Sequence, residues 1–198
     1  FLDGRFLSTA PAERWTKSSP QHLPWTAFTR LVPADWITSS FAVVRHPVKR
    51  LVSAFQFQVE VEGTVAPLWS IDEWFDDWLK RAGDEPFLYD NHLCPQSAIV
   101  PPDATVFRLE DGLDAIIPHL DRLAGNSGGP RGVRAENVRR KGMGPDAERL
   151  KPSAETLARV AAFYAADFAR FGYGETAPKS ARTAPKPSGL RALVGALT

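Results

Sequence analysis

The residues best suited to chemistry lie in Val43–Val44–Arg45–His46–Pro47–Val48–Lys49–Arg50–Leu51–Val52–Ser53. A guanidinium forks onto a phosphate through two parallel hydrogen bonds, and a serine hydroxyl adds a further donor. Arg45 follows the apolar run Ser40–Phe41–Ala42–Val43–Val44, which has strand length. Ligands of open α/β sheets bind beyond the carboxyl ends of such strands. Pro47 is tolerated in the first turn of a helix, and Val48, Leu51, Val52, Phe55 and Val59 recur at helical spacing. Free N–H groups and the positive dipole end of that helix suit an anion. Arg50 and Ser53, three apart, fall together on the face opposite the apolar stripe. Together these features predict a site for a phosphate-sized anion on Arg45 and Ser53. The plainer reading is a salt-bridged arginine at a strand end and a solvated serine.

The surrounding pattern supplies the elements that must position these residues. An apolar run with no polar face suits a strand buried on both sides of a parallel sheet. Ser70 and Glu73 form a capping-box signature for a helix to about Arg81. Asp103–Leu109 reads as a second buried strand, followed by a helix from about Asp111 to Leu123. Gly- and Arg-rich residues 125–151 read as an irregular loop. Ser153 caps a closing helix, with Leu157, Val160, Ala161, Tyr164 and Phe168 in one stripe. Residues 1 to about 39 read as loops and short helices, and residues 175–198 as a linker-like tail. Strand–helix units alternating in this way indicate an α/β layer fold, with one domain over residues 1–174.

Composition narrows the function classes. The 198 residues are 43% hydrophobic and 24% charged, as in an ordinary globular chain. The 24 Lys+Arg against 23 Asp+Glu leave +1, which argues against a protein that coats nucleic acid. Cys94 is the single cysteine, so no internal disulfide framework exists, and no Cys/His run has metal-ligand spacing. No apolar run approaches the ~20 residues of a membrane span. One cysteine and no visible signal favour a cytoplasmic setting.

Arg-x-Pro-x-x-Arg-x-x-Ser directly after an apolar strand resembles the 3′-phosphate-binding motif of sulfotransferases. Those enzymes use 3′-phosphoadenosine-5′-phosphosulfate (PAPS). The resemblance implies that Arg45 and Ser53 bind the nucleotide's 3′-phosphate, and it leaves the role of Arg50 open. Phe107–Arg108–Leu109–Glu110–Asp111 is similar to the strand-plus-acid segment of carbohydrate sulfotransferases, and Asn91–His92–Leu93–Cys94–Pro95–Gln96 precedes it at the family's distance. Asn137–Val138–Arg139–Arg140–Lys141–Gly142 resembles the late basic loop, which implies a 3′-phosphate role for Arg140, Lys141 and Gly142. Residues 163–173 resemble the closing helix. The implied fold is a P-loop-NTPase-like parallel sheet flanked by helices in three layers. The family's Lys-x-Gly-Thr/Ser phosphate loop has no counterpart between Phe1 and Arg45, so the expectation is that this loop lies upstream of Phe1.

The implied reaction transfers a sulfuryl group from PAPS to an acceptor hydroxyl, most naturally of a carbohydrate, with no metal. The acceptor's proton must pass to a base within hydrogen-bond reach. His22, in His22–Leu23–Pro24–Trp25, resembles the His-x-x-Trp segment of heparan-type O-sulfotransferases, whose His is the proposed base. An imidazole accepts a proton near neutral pH. Trp25 is then a substrate contact through its aromatic face, and His92 a second candidate as base or substrate contact. His46 shapes the turn of the phosphate motif, and His119 reads as structural. Glu110 is either a carboxylate base or, more plainly, a strand-end cap or salt bridge. Cys94 has no basic cluster beside it and reads as a small buried residue. Two other readings stay open: a truncated or degenerate non-catalytic relative, and a nucleotide-dependent kinase on a similar sheet.

Overall fold

The computed structural model describes Ser18 and residues 22–85, 87–129, 131–133 and 146–174. Both expected strands are present: β1 (Phe41–Val44) and β2 (Thr105–Arg108) run parallel. Phe41 faces Thr105 and Val44 faces Arg108 in the register. A parallel pair needs a long crossover. Here it contains α2 (Pro47–Glu60), α3 (Ile71–Arg81) and α4 (Gln96–Ile99). A short helix α1 (Trp25–Phe28) precedes the sheet. After β2 come α5 (Ile117–Ala124), α6 (Ala154–Phe163) and α7 (Ala165–Phe171). The architecture is thus mixed α/β with a small parallel sheet. No helix among the described residues is long and apolar enough to cross a membrane.

The strands are less buried than their composition predicts. Phe41, Val43 and Val106 are 42%, 38% and 37% exposed. Side chains alternate between the two faces of a strand. Val44 packs with Val100 and Phe171 on one face, while Phe41 and Phe107 meet the edge of the His119 ring on the other. An apolar run records that a strand tolerates cover on both faces. The cover itself comes from other elements, here Phe171 of α7 on one face and His119 of α5 on the other.

The larger core is helical. Val48, Leu51 and Phe55 of α2 meet Ile71, Trp74, Phe75 and Trp78 of α3, together with Leu93, Val160, Tyr164 and Phe168. Phe55 and Trp74 are fully buried, with ring centroids 5.3 Å apart. Truncating either to alanine is expected to cost about 3–5 kcal/mol. The capping box forms as expected: the Glu73 N–H donates to Ser70 Oγ, and the Ser70 N–H donates to Glu73 Oε2. The helix expected from Asp111 begins instead as 3-10 turns over Leu109–Asp111 and Leu113–Ile116, separated by Gly112 at φ 89.

The closing segment differs from the single helix its stripe predicts. It breaks at Tyr164 (φ −98, ψ 23), whose buried hydroxyl donates to the Leu93 carbonyl at 2.8 Å. Ser153 caps α6 by accepting from the Thr156 N–H. Thr156, Val160 and Tyr164, spaced by four, then face inward, and Leu157 turns out at 38% exposure. The break brings Asp167, Phe168 and Phe171 of α7 into the interior.

Candidate active site

Arg45 stands at the carboxyl end of β1, one residue before His46 caps α2. Its backbone is held on both sides by one side chain: the Arg45 N–H donates to Gln96 Oε1 and Gln96 Nε2 donates to the Arg45 carbonyl, each at 2.8 Å. Buried Asp167 holds Gln96 in turn, accepting the Gln96 N–H at 2.8 Å and the Ser97 N–H at 2.7 Å. The half-buried Arg45 guanidinium forms no ion pair among the described residues, nor does that of Arg50. A fixed backbone carrying a cation with no ion-pair partner among the described residues suits an anion.

The start of α2 corrects one expectation. Its N–H groups are largely occupied. Pro47 has none, and the Val48 N–H donates to His46 Nδ1. His46 is fully buried, its Nε2–H donating to the Gly174 carbonyl at 3.0 Å between the rings of Phe168 and Tyr173. His46 therefore shapes the turn, as expected. An anion here depends on side chains more than on the helix terminus. Ser53 lies six residues along α2 from Pro47, roughly 9 Å up the axis.

Glu110 takes the plainer of its two expected roles. Its carboxylate accepts the His46 N–H and the Tyr173 hydroxyl, each at 3.0 Å. Burial raises this carboxyl, but those hydrogen bonds, one from its own backbone and the Lys49 charge outweigh burial and hold it below the usual range. Glu110 thus ties β1, β2 and the segment after α7 together. Arg108 reinforces the tie by donating to the Phe171 and Gly172 carbonyls. Cys94 is half-buried, and burial raises its thiol against the nearby Arg50 charge, so it is a poor nucleophile.

A second group gathers around His22. Its Nδ1 lies 2.9 Å from Asp90 Oδ2, with the two side chains only 17% and 20% exposed. The His92 ring sits edge-on to His22 at 4.4 Å. Gln58 of α2 reaches His92 Nδ1 at 2.8 Å and accepts from the Thr64 hydroxyl. Burial, His22 and Arg50 push His92 down to about 4, against the opposing pull of Asp90. At neutral pH the His92 ring is neutral. Trp25 stacks on Phe28 at 5.6 Å, three residues from His22.

The backbone that delivers Asp90 is unusual. Tyr89, Asp90 and Asn91 have φ of 56, 52 and 62, three consecutive left-handed residues without a glycine. Such residues cost about 1–2 kcal/mol each for ordinary side chains and less for Asp and Asn. Contacts offset the cost: Asn91 Nδ2 donates to the His22 carbonyl at 2.7 Å, and the Tyr89 ring packs on Trp74. Each of His22, Asp90 and His92 offers one ligand atom, all within 4.8 Å of one another, a spacing a divalent cation can also use.

The structure therefore brings His22 and His92 together and sets Arg45 and Ser53 on one strand–helix unit. Arg140, Lys141 and Gly142 lie outside the described residues. Sequence reasoning missed Gln96, Asp167, Asp90 and Gln58. Two of these carried a signal, a polar residue within an apolar stripe: Gln58 after Leu51 and Phe55, and Asp167 between Tyr164 and Phe171. Asp90–Asn91 carried another, since both types tolerate left-handed backbone.

Comparison with known proteins adds an independent finding. The model of the Sulfotransferase family matches residues 6–174. No curated protein and no solved structure matches the chain. The family match covers most of the sequence, including both strands and the two polar groups just described. The chain belongs to the sulfotransferase family.

Proposed function

We propose that this chain transfers a sulfuryl group from PAPS to an acceptor hydroxyl, with a carbohydrate as the acceptor class. The observation that carries the proposal is Arg45: its backbone is clamped by Gln96, and its guanidinium has no ion-pair partner among the described residues. That donor chemistry fits a phosphate. Arg45 and Ser53 would hold the 3′-phosphate of the donor nucleotide. Arg140, Lys141 and Gly142, which lie outside the described residues, would add cations and backbone donors to the same group. When bound, PAPS supplies the sulfuryl group and an adenosine 3′,5′-bisphosphate leaving group.

The chain's own residues then position the acceptor and manage its proton. Sulfuryl transfer resembles loose in-line phosphoryl transfer, so alignment and charge stabilisation dominate. His22 accepts the hydroxyl proton, Trp25 supplies an apolar face for a sugar ring, and His92 contacts the acceptor. The half-buried setting of His22 limits competing water. We extend the proposal to the fold: β1 and β2 are neighbouring strands of a P-loop-like sheet with helices on both faces. Their partly exposed apolar side chains support this, being suited to such layers.

The test is transfer of radiolabelled sulfate from PAPS to a panel of glycans by the full chain and by H22A. Labelled product that falls by on the order of 10²-fold or more in H22A is the expected result. Transfer from ATP instead of PAPS, or equal rates for H22A and the parent, would overturn the proposal.

A further inference from the structure

The hydrogen bonds around His22 and His92 treat the two rings in opposite ways. An ionised carboxylate only accepts hydrogen bonds. Asp90 Oδ2, 2.9 Å from His22 Nδ1, therefore requires the His22 proton on Nδ1 and makes Nε2 the ring's proton-accepting atom. The His92 ring faces an amide instead. The Thr64 hydroxyl donates to Gln58 Oε1, which turns Gln58 Nε2 toward His92 Nδ1 at 2.8 Å. An amide nitrogen only donates, so His92 Nδ1 accepts and its proton sits on Nε2.

We infer that the left-handed turn at Tyr89–Asn91 and the buried Gln58 set the ring protons of His22 and His92 on opposite nitrogens, Nδ1 at His22 and Nε2 at His92. The pair thus holds one proton acceptor and one proton donor within a single side-chain cluster. Asp90 and Gln58 are positioning residues in this arrangement. Both are well placed for it. Gln58 is buried in the apolar stripe of α2, and Asp90 is aimed by three consecutive positive φ values that the Asn91 bond to the His22 carbonyl helps to hold. Resting on the sulfotransferase reading, the consequence is a division of labour: His22 takes the acceptor's proton while His92 donates a hydrogen bond to an acceptor oxygen. This favours a hydroxyl with a second oxygen nearby, as in a sugar diol.

The tautomers can be read without turnover. Long-range ¹H–¹⁵N spectra of the full chain at pH 8, assigned with H22Q and H92Q, should show Nδ1–H at His22 and Nε2–H at His92. Asparagine tolerates left-handed backbone, so D90N keeps the turn. Its amide can donate to Nδ1, which should move the His22 proton to Nε2. In that variant kcat should fall by on the order of 10²-fold or more with little change in KM. The same tautomer on both rings in the parent, or an unchanged His22 tautomer in D90N, overturns the inference. So does capture of added Zn²⁺ by both rings in the parent spectrum. Correct tautomers without any sulfuryl transfer would support the inference and sink only the proposed reaction.

Discussion

Asparagine in place of Asp167 keeps the side chain's shape and removes its charge. In the parent the two carboxylate oxygens accept the N–H groups of Gln96 and Ser97 at 2.8 and 2.7 Å, in a fully buried position. Hydrogen bonds to a charged group contribute about 1.5–3 kcal/mol each, so the pair is worth about 3–6. Asparagine keeps one acceptor, worth roughly 0.5–1.5 kcal/mol, and turns an amide donor toward the second N–H. The expected loss is therefore about 2.5–4.5 kcal/mol. At about 2–4 °C per kcal/mol for a chain of this size, Tm falls by roughly 5–18 °C. Calorimetric melts of the parent and D167N measure it. The loss should also reach the anion site, because Gln96 clamps the Arg45 backbone. D167N should therefore bind adenosine 3′,5′-bisphosphate more weakly although Arg45 itself is intact. A Tm within about 2 °C of the parent would refute the claim that α7 supports Arg45 through Asp167.

Three further outcomes follow from single residues. His92 is lowered to about 4 in the folded chain against about 6.5 when unfolded, so the unfolded state alone takes up a proton as pH falls between those values. The stability this group contributes is complete above about pH 6.5 and is lost toward pH 4; H92Q should flatten the decline in Tm over that window. S70A removes the cap of α3 and should cost about 0.5–2 kcal/mol in a urea titration, with the slope unchanged. G172A places a β-carbon 2.8 Å from an Arg108 nitrogen at φ 63 and should cost about 1–2 kcal/mol for the backbone alone, more if Arg108 leaves its two carbonyls.

Much of the local structure is legible in the sequence because its causes are local. The Ser70–Glu73 box, Pro47 at the start of α2 and the two apolar strand runs each depend on residues within a few positions. Cover for the strands was not legible, because the groups that meet them, Phe171 of α7 beside Val44 and His119 of α5 beside Phe41, come from distant segments. The site divides in the same way. Arg45 and Ser53 belong to one contiguous motif, whereas Gln96 and Asp167 join across 71 positions with no periodic trace of the pairing. The His22 and Asp90 side chains meet across 68 positions and depend on a left-handed turn that residue types permit without requiring. The occupied start of α2 illustrates the limit of a general rule. A helix N-terminus attracts anions, but proline and a histidine cap leave few of its donors available here.

The central claim is that Arg45 and Ser53 form a 3′-phosphate site, and isothermal calorimetry of the full chain with adenosine 3′,5′-bisphosphate tests it most directly. A charge-assisted contribution of about 1.5–3 kcal/mol corresponds to roughly 10- to 100-fold weaker binding in R45A, with a smaller loss in S53A. Adenosine 5′-phosphate, lacking the 3′-phosphate, should bind the parent and R45A alike. No binding of the bisphosphate, or equal affinity in R45A and the parent, would contradict the account.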